Sequence, residues 1–182
     1  MTANEDRQFP AALAAAMAVR LRCIGEDGVD FEPYESFLTA EETTDWIRAW
    51  TSNAELSGDD FRVFGQDGTG GYAALWLVRT GRELGEQPVV FLGSEGETGV
   101  VARDLGAFLR LLADGFGPWE AVTLYDPEPD PESDWVPGAH PDLAAVAEQF
   151  APGRRASAAD IIGRAAHEFP DFDDTIMKLC RW

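Results

Sequence analysis

Two histidines and two cysteines are the whole supply of imidazole and thiol side chains in this 182-residue chain. His140 precedes a proline, as loop residues do, and His167 falls in a helical pattern at a position facing solvent. No H-E-x-x-H or H-x-x-x-H spacing occurs, and neither histidine is matched to a nucleophile, so triad and zinc chemistry lack their parts. Cys23 and Cys180 stand near opposite ends without a C-x-x-C spacing, which indicates neither a disulfide framework nor a metal site. Cys180, between Leu179 and Arg181, reads as a small buried apolar residue. Carboxylates present the opposite difficulty. With 33 Asp and Glu in the chain, any two stand close by chance, and a pair carries no information about general acid–base work. The sequence assigns no catalytic, cofactor-binding or metal-ligating residue, and the chain is expected not to be an enzyme.

Two glycine-rich stretches invite a phosphate-binding reading. Gly68, Gly70 and Ala73 satisfy G-x-G-x-x-A, but an aromatic strand pattern follows where a helix N-terminus would have to receive the phosphates. The stretch therefore predicts a hairpin turn whose glycines supply positive φ. Residues 93–99, Gly-Ser-Glu-Gly-Glu-Thr-Gly, read the same way. Asp126, Glu128 and Asp130 imitate the start of a calcium loop, yet Pro131 and Pro137 stand where that loop requires Gly and Glu.

The net charge of −19, from 14 Lys and Arg against the 33 acids, argues against direct binding to nucleic acid or to an anionic membrane, both of which need a basic patch. From Leu111 to Gly153 there are nine acids and no Lys or Arg. The densest part alternates prolines with Asp126, Glu128, Asp130, Glu132 and Asp134. As polyproline II, at about 3.1 Å per residue and three residues per turn, its carboxylates fan around the axis and form no regular phosphate-like ladder. It reads either as a solvated linker that aids solubility or as an anionic arm that attracts a cationic partner. On the second reading the five carboxylates are the partner-binding residues, and Trp135, set among them, is the anchor. Of the other tryptophans, Trp46, Trp50 and Trp76 are predicted to be core.

The elements that must position these groups follow from periodicity. Helices are predicted from Pro10 to Arg22, from Ala40 to Thr51 behind a Thr39–Glu42 capping box, and from Leu105 to Ala113 behind Asp104. Three short ones follow, at Pro141–Phe150, Ser157–Phe169 and Asp173–Arg181. Strands are predicted at Phe61–Phe64, Tyr72–Arg79, Pro88–Leu92 and Val100–Ala102, too closely spaced for parallel crossovers, so the sheet should be antiparallel or mixed. The expected organisation is an α+β domain over residues 1–120, an acidic Pro-rich linker over 121–140 and a helical C-terminal appendage over 141–182, packed on the main domain. The acidic start and the arginines after the Ala11–Val19 run do not make a signal peptide, and no stretch has the roughly 18 apolar residues of a membrane span, so a cytoplasmic location is expected.

The run FGQDGTGGYAALWLVRTG, followed by QPVVFLGSEGETGVVARDLGAFLRLLADG, resembles the SUKH superfamily, which includes bacterial toxin-immunity proteins and a yeast regulator of cell-wall synthesis. The ordered features are an FG-x-D-x-x-GG turn into an aromatic strand, a P-V-V strand ending in Gly, a Ser-Glu-Gly-Glu loop and a closing L-x-x-F-L helix. Pro33–Leu38 is similar to the early P-x-x-Y-x-x-F-L segment of that family in compressed form, and the resemblance spans roughly residues 31–115. It implies a bent, mixed or mainly antiparallel sheet of about four to six strands flanked by helices. It also implies a non-enzymatic domain that binds and neutralises a cognate toxin, often a basic nuclease. The alternative expectation is a housekeeping regulatory or scaffold protein whose acidity is compositional.

Overall fold

Val89–Leu92 reads Val-Val-Phe-Leu, an unbroken apolar run where a half-exposed strand would alternate, so both of its faces must be covered. In the computed structural model, which describes residues 7–19, 29–124, 137–153 and 155–181, they are. The five strands β1 (Glu32–Pro33), β2 (Phe61–Gln66), β3 (Tyr72–Trp76), β4 (Val89–Leu92) and β5 (Thr98–Ala102) form one antiparallel meander in chain order. Val89 and Phe91 point into one core, Val90 and Leu92 into another. The α+β expectation holds, and the sheet is antiparallel throughout.

Among the described residues seven α-helices enclose it: α1 (Ala11–Met17), α2 (Ala40–Thr51), α3 (Leu105–Ala113), α4 (Pro118–Thr123), α5 (Pro141–Phe150), α6 (Ala158–Glu168) and α7 (Phe172–Met177). The larger core joins Leu13 of α1, Phe108 and Leu112 of α3, Ala121 of α4 and Leu143 and Ala147 of α5 to one sheet face. The smaller one joins Ile47 of α2 with Phe172 and Ile176 of α7 on the other. Helix α6 contributes to both, Ile161 to the first and Ala165 to the second. It lies over β5 and so covers a sheet edge that would otherwise invite pairing. The opposite edge is the two-residue β1, where Pro33 offers no N–H to a further strand.

Bulges explain the two places where alternation slips. The β2–β3 register shifts between Val63 and Gly65, and the β4–β5 register between Val89 and Val90. An extra residue on one strand aims two successive positions at one side. Thus Val101 and Ala102 both join the larger core. Phe64 joins it too, and a Cβ on Gly65 would point at its neighbour Phe31.

Several boundaries differ from the sequence expectation. Strand β1 is not among the expected elements, because Glu and Pro are poor strand residues; it exists because β2 offers it a partner. Strand β3 ends at Trp76, short of Arg79, because the opposing residue is Pro88, which accepts from Trp76 N–H at 2.9 Å but cannot donate in return. Helix α4 is also additional to the expected elements, and Pro118 at its first position is the signal for it. Helix α7 ends at Met177 and leaves Cys180 beyond it, half-buried, where burial pushes its thiol up. The first helix ends at Met17, with Ala18 as its C-cap, short of the expected Arg22; residues 20–28 lie outside the described set. No helix among the described residues is long and apolar enough to cross a membrane.

Candidate functional site

The arm residues Asp126, Glu128, Asp130, Glu132, Asp134 and Trp135 all lie outside the described residues. Another acidic surface lies within them. From Glu32 to Asp60 there are eight carboxylates and a single cation, Arg48, whose Nε donates to the Leu56 carbonyl at 2.8 Å. This segment runs through β1 and α2 to the start of β2. Thr39 begins α2 with a complete capping box: its Oγ1 accepts from Glu42 N–H at 3.2 Å, and Glu42 Oε2 accepts from Thr39 N–H at 2.8 Å. The Thr39 N–H and the Thr39 hydroxyl, which donates to Glu42 Oε2 at 2.7 Å, together hold the Glu42 carboxyl below its ordinary range. The box leaves Thr43, Ile47 and Thr51 facing the sheet, so Glu41, Glu42 and Asp45 face solvent.

Beside these acids lies a strip of half-buried aromatics. Trp46 stacks at a tilt on Tyr72 with ring centres 4.7 Å apart, and Tyr34 meets Tyr72 edge to face at 6.4 Å. Tyr34 donates its hydroxyl proton to Gln66 Oε1 at 2.7 Å, and burial beside Tyr72 pushes its pKa well above the ordinary tyrosine value. Trp50 donates from Nε1 to the Gly93 carbonyl at 2.8 Å, which ties the β4–β5 loop to the end of α2. Trp46, Trp50 and Trp76 are therefore not fully buried core residues as expected. They pack on the smaller core with one side open. Trp46 and Trp50 reach that core from α2 and Trp76 from the end of β3, all at its margin, where Trp76 meets Phe169 and Phe172 edge to face at 5.6 and 5.0 Å. In the sequence the proline-rich arm is the more conspicuous charge run and overshadows this strip; the signal for it is the lone Arg48 among eight acids.

The glycine-rich stretch is the hairpin turn its sequence predicts. Asp67, 2% exposed, accepts through Oδ1 from Thr69 N–H at 2.9 Å, from the Thr69 hydroxyl at 2.9 Å and from Gly71 N–H at 2.8 Å, while Gly70 takes a φ of 92°. The β4–β5 loop turns at Gly96, with a φ of 100°, and Ser94 donates to Thr69 Oγ1 at 2.9 Å, joining the two loops. Near them Glu120, also 2% exposed, accepts through Oε1 from Asp30 N–H at 2.5 Å, and its Oε2 is buried without a partner. Burial pushes this carboxyl up.

His140 caps α5, its Nδ1 accepting from Leu143 N–H at 3.5 Å, and His167 is exposed on α6. No group of three or more His, Cys, Asp or Glu among the described residues is arranged to hold a metal ion. No protein-family model, curated protein or solved structure matches this chain.

Proposed function

We propose that this chain is a non-enzymatic protein-binding domain that engages a cationic protein, as an immunity protein engages a basic toxin such as a nuclease. The observation that supports this reading is the acidic, aromatic surface of β1 and α2. Trp46, Tyr34 and Tyr72 supply rigid, amphipathic contact area, and Glu35, Glu41 and Asp45 stand exposed around α2 with no ion pair among the described residues. Interfaces favour that composition: aromatic anchors carry most of the binding energy, and unspent rim charges steer the encounter. A nuclease must be basic to hold phosphate, so an acidic binder gains association rate against it. The acidic arm, Asp126 to Asp134 with Trp135, would extend the same attraction.

A pull-down from native lysate identifies the partner, and stopped-flow association with the purified partner tests the surface. Replacing Glu35, Glu41 and Asp45 together with Gln, Gln and Asn should slow association about tenfold at low salt and flatten its salt dependence. Trp46→Ala should speed dissociation while leaving association unchanged. A captured partner that is itself acidic, or association indifferent to the three substitutions, would overturn the reading.

A further inference from the structure

Cations in this acidic chain are gathered in one place. Six of its 14 Lys and Arg line one cleft and one of the clefts adjoining it. The first has a volume of about 340 Å³, within the range of about 300–1,000 Å³ usual for small-molecule sites. Arg103 reaches it from just before α3, Arg110 from the last turn of α3, Arg155 from the loop after α5, and Arg164 from α6. Its floor is apolar, formed by Ala107 and Ile161. Among the described residues Asp104 is the one carboxylate lining it, and it already accepts the Ala107 N–H at 2.8 Å as the cap of α3.

The four guanidinium groups are not equivalent. Arg110 is held by Glu148 Oε2 at 2.7 Å and by the Ala151 carbonyl at 2.9 Å, and Arg103 lies 3.9 Å from Glu168. Arg155 and Arg164 make no ion pair among the described residues, although Arg155 acts at longer range on Glu148. Among the described residues neither guanidinium has a direct carboxylate partner, although Asp114 and Glu148 line an adjoining cleft together with Arg155. In addition, Arg110 Nε is buried with no acceptor, although its side chain is fixed on both sides. A buried, unpaired N–H costs about 1–3 kcal/mol, a penalty an acceptor placed there would remove.

We infer that this cleft binds a small organic phosphate, specifically a phosphomonoester on a planar or apolar body. The two guanidinium groups without a direct ion pair match in number the two charges of a phosphomonoester dianion. Guanidinium forks match phosphate oxygens in geometry, and they also stack on planar rings. The apolar floor accepts the body that inorganic phosphate lacks. The site is separate from β1 and α2, so its failure and that of the protein-binding reading are distinguishable.

The test is calorimetric titration of the full chain with AMP as the probe, adenosine as the uncharged control and citrate as the carboxylate control at matched ionic strength. Saturable AMP binding below about 1 mM is expected, with none for adenosine. Arg155→Gln and Arg164→Gln, both at exposed positions, should each weaken it about tenfold or more without lowering the melting temperature of the unliganded protein. Both variants keep Arg110 and its ion pair with Glu148 intact. No saturable binding of AMP, binding unchanged in both variants, or citrate bound as tightly as AMP would overturn the proposal.

Discussion

Gly65→Ala tests the packing that fixes β1, and with it Tyr34 of the aromatic strip. A Cβ on Gly65 would lie 2.5 Å from Phe31 Cζ and 2.9 Å from the Glu32 carbonyl oxygen. Neither neighbour can give way cheaply. Phe31 is 2% exposed and set edge to face against Phe64 at 6.0 Å. Glu32 pairs with Gln66, and Tyr34 N–H donates to the Phe64 carbonyl at 2.9 Å, so the backbone on both sides is tied to β2. Overpacking of this kind costs about 1–3 kcal/mol. In a chain of this size that lowers the melting temperature by roughly 3–10 °C. Gly163→Ala is the internal comparison, because its Cβ would meet nothing within 4 Å and the position is an exposed helical one in α6. It should raise stability by about 0.5–1 kcal/mol through lower unfolded-state entropy and better helix propensity. Urea titrations of both variants read the two effects with opposite signs at a common slope. A Gly65→Ala midpoint at or above that of the parent would refute the claim that Phe31 and the Glu32 carbonyl leave no room at the bulge.

Two further outcomes follow from capping and burial. Thr39→Ala should cost about 1 kcal/mol in urea unfolding, because it removes the side-chain acceptor from the Glu42 N–H at the start of α2; an unchanged midpoint would mean the capping box contributes nothing. Glu120 has a folded pKa raised above its unfolded value by burial. Its contribution is therefore fully present below the unfolded pKa, at about 4.3, and is lost as pH rises through the raised folded value. Relative to Glu120→Gln, the parent should lose stability with rising pH across that window. A stability difference that does not vary with pH would rule out an elevated Glu120.

The helices were legible where local signals act alone. Thr39 with Glu42, Asp104 before Leu105, and Ser157 before Ala158 mark starts that the structure reproduces, because a cap is satisfied within four residues. The central strands were legible for a related reason: Val-Val-Phe-Leu needs two covered faces wherever it lies. Strand β1 was not, since Glu32 and Pro33 have no strand preference and pair only because β2 presents open groups at that edge. The end of β3 was set by a proline on the neighbouring strand, which no reading of β3 alone contains.

For the candidate sites the division is sharper. Composition alone determined the excess of 33 acids over 14 bases and the scarcity of His and Cys, at two each, because these are counts that folding cannot alter. Tertiary structure decided where the charges stand. Arg103, Arg110, Arg155 and Arg164 are scattered over some sixty positions of sequence, and only the packing of α3 and α6 against one another and against β5 brings them to one cleft. Trp46 likewise has the spacing of a core residue, but whether an indole is covered depends on what packs over it in space, and Trp46 is left half-buried at the margin of the smaller core. Charge totals belong to the chain; charge concentrations belong to the fold, because Coulomb interactions depend on distances in space that sequence separation does not set.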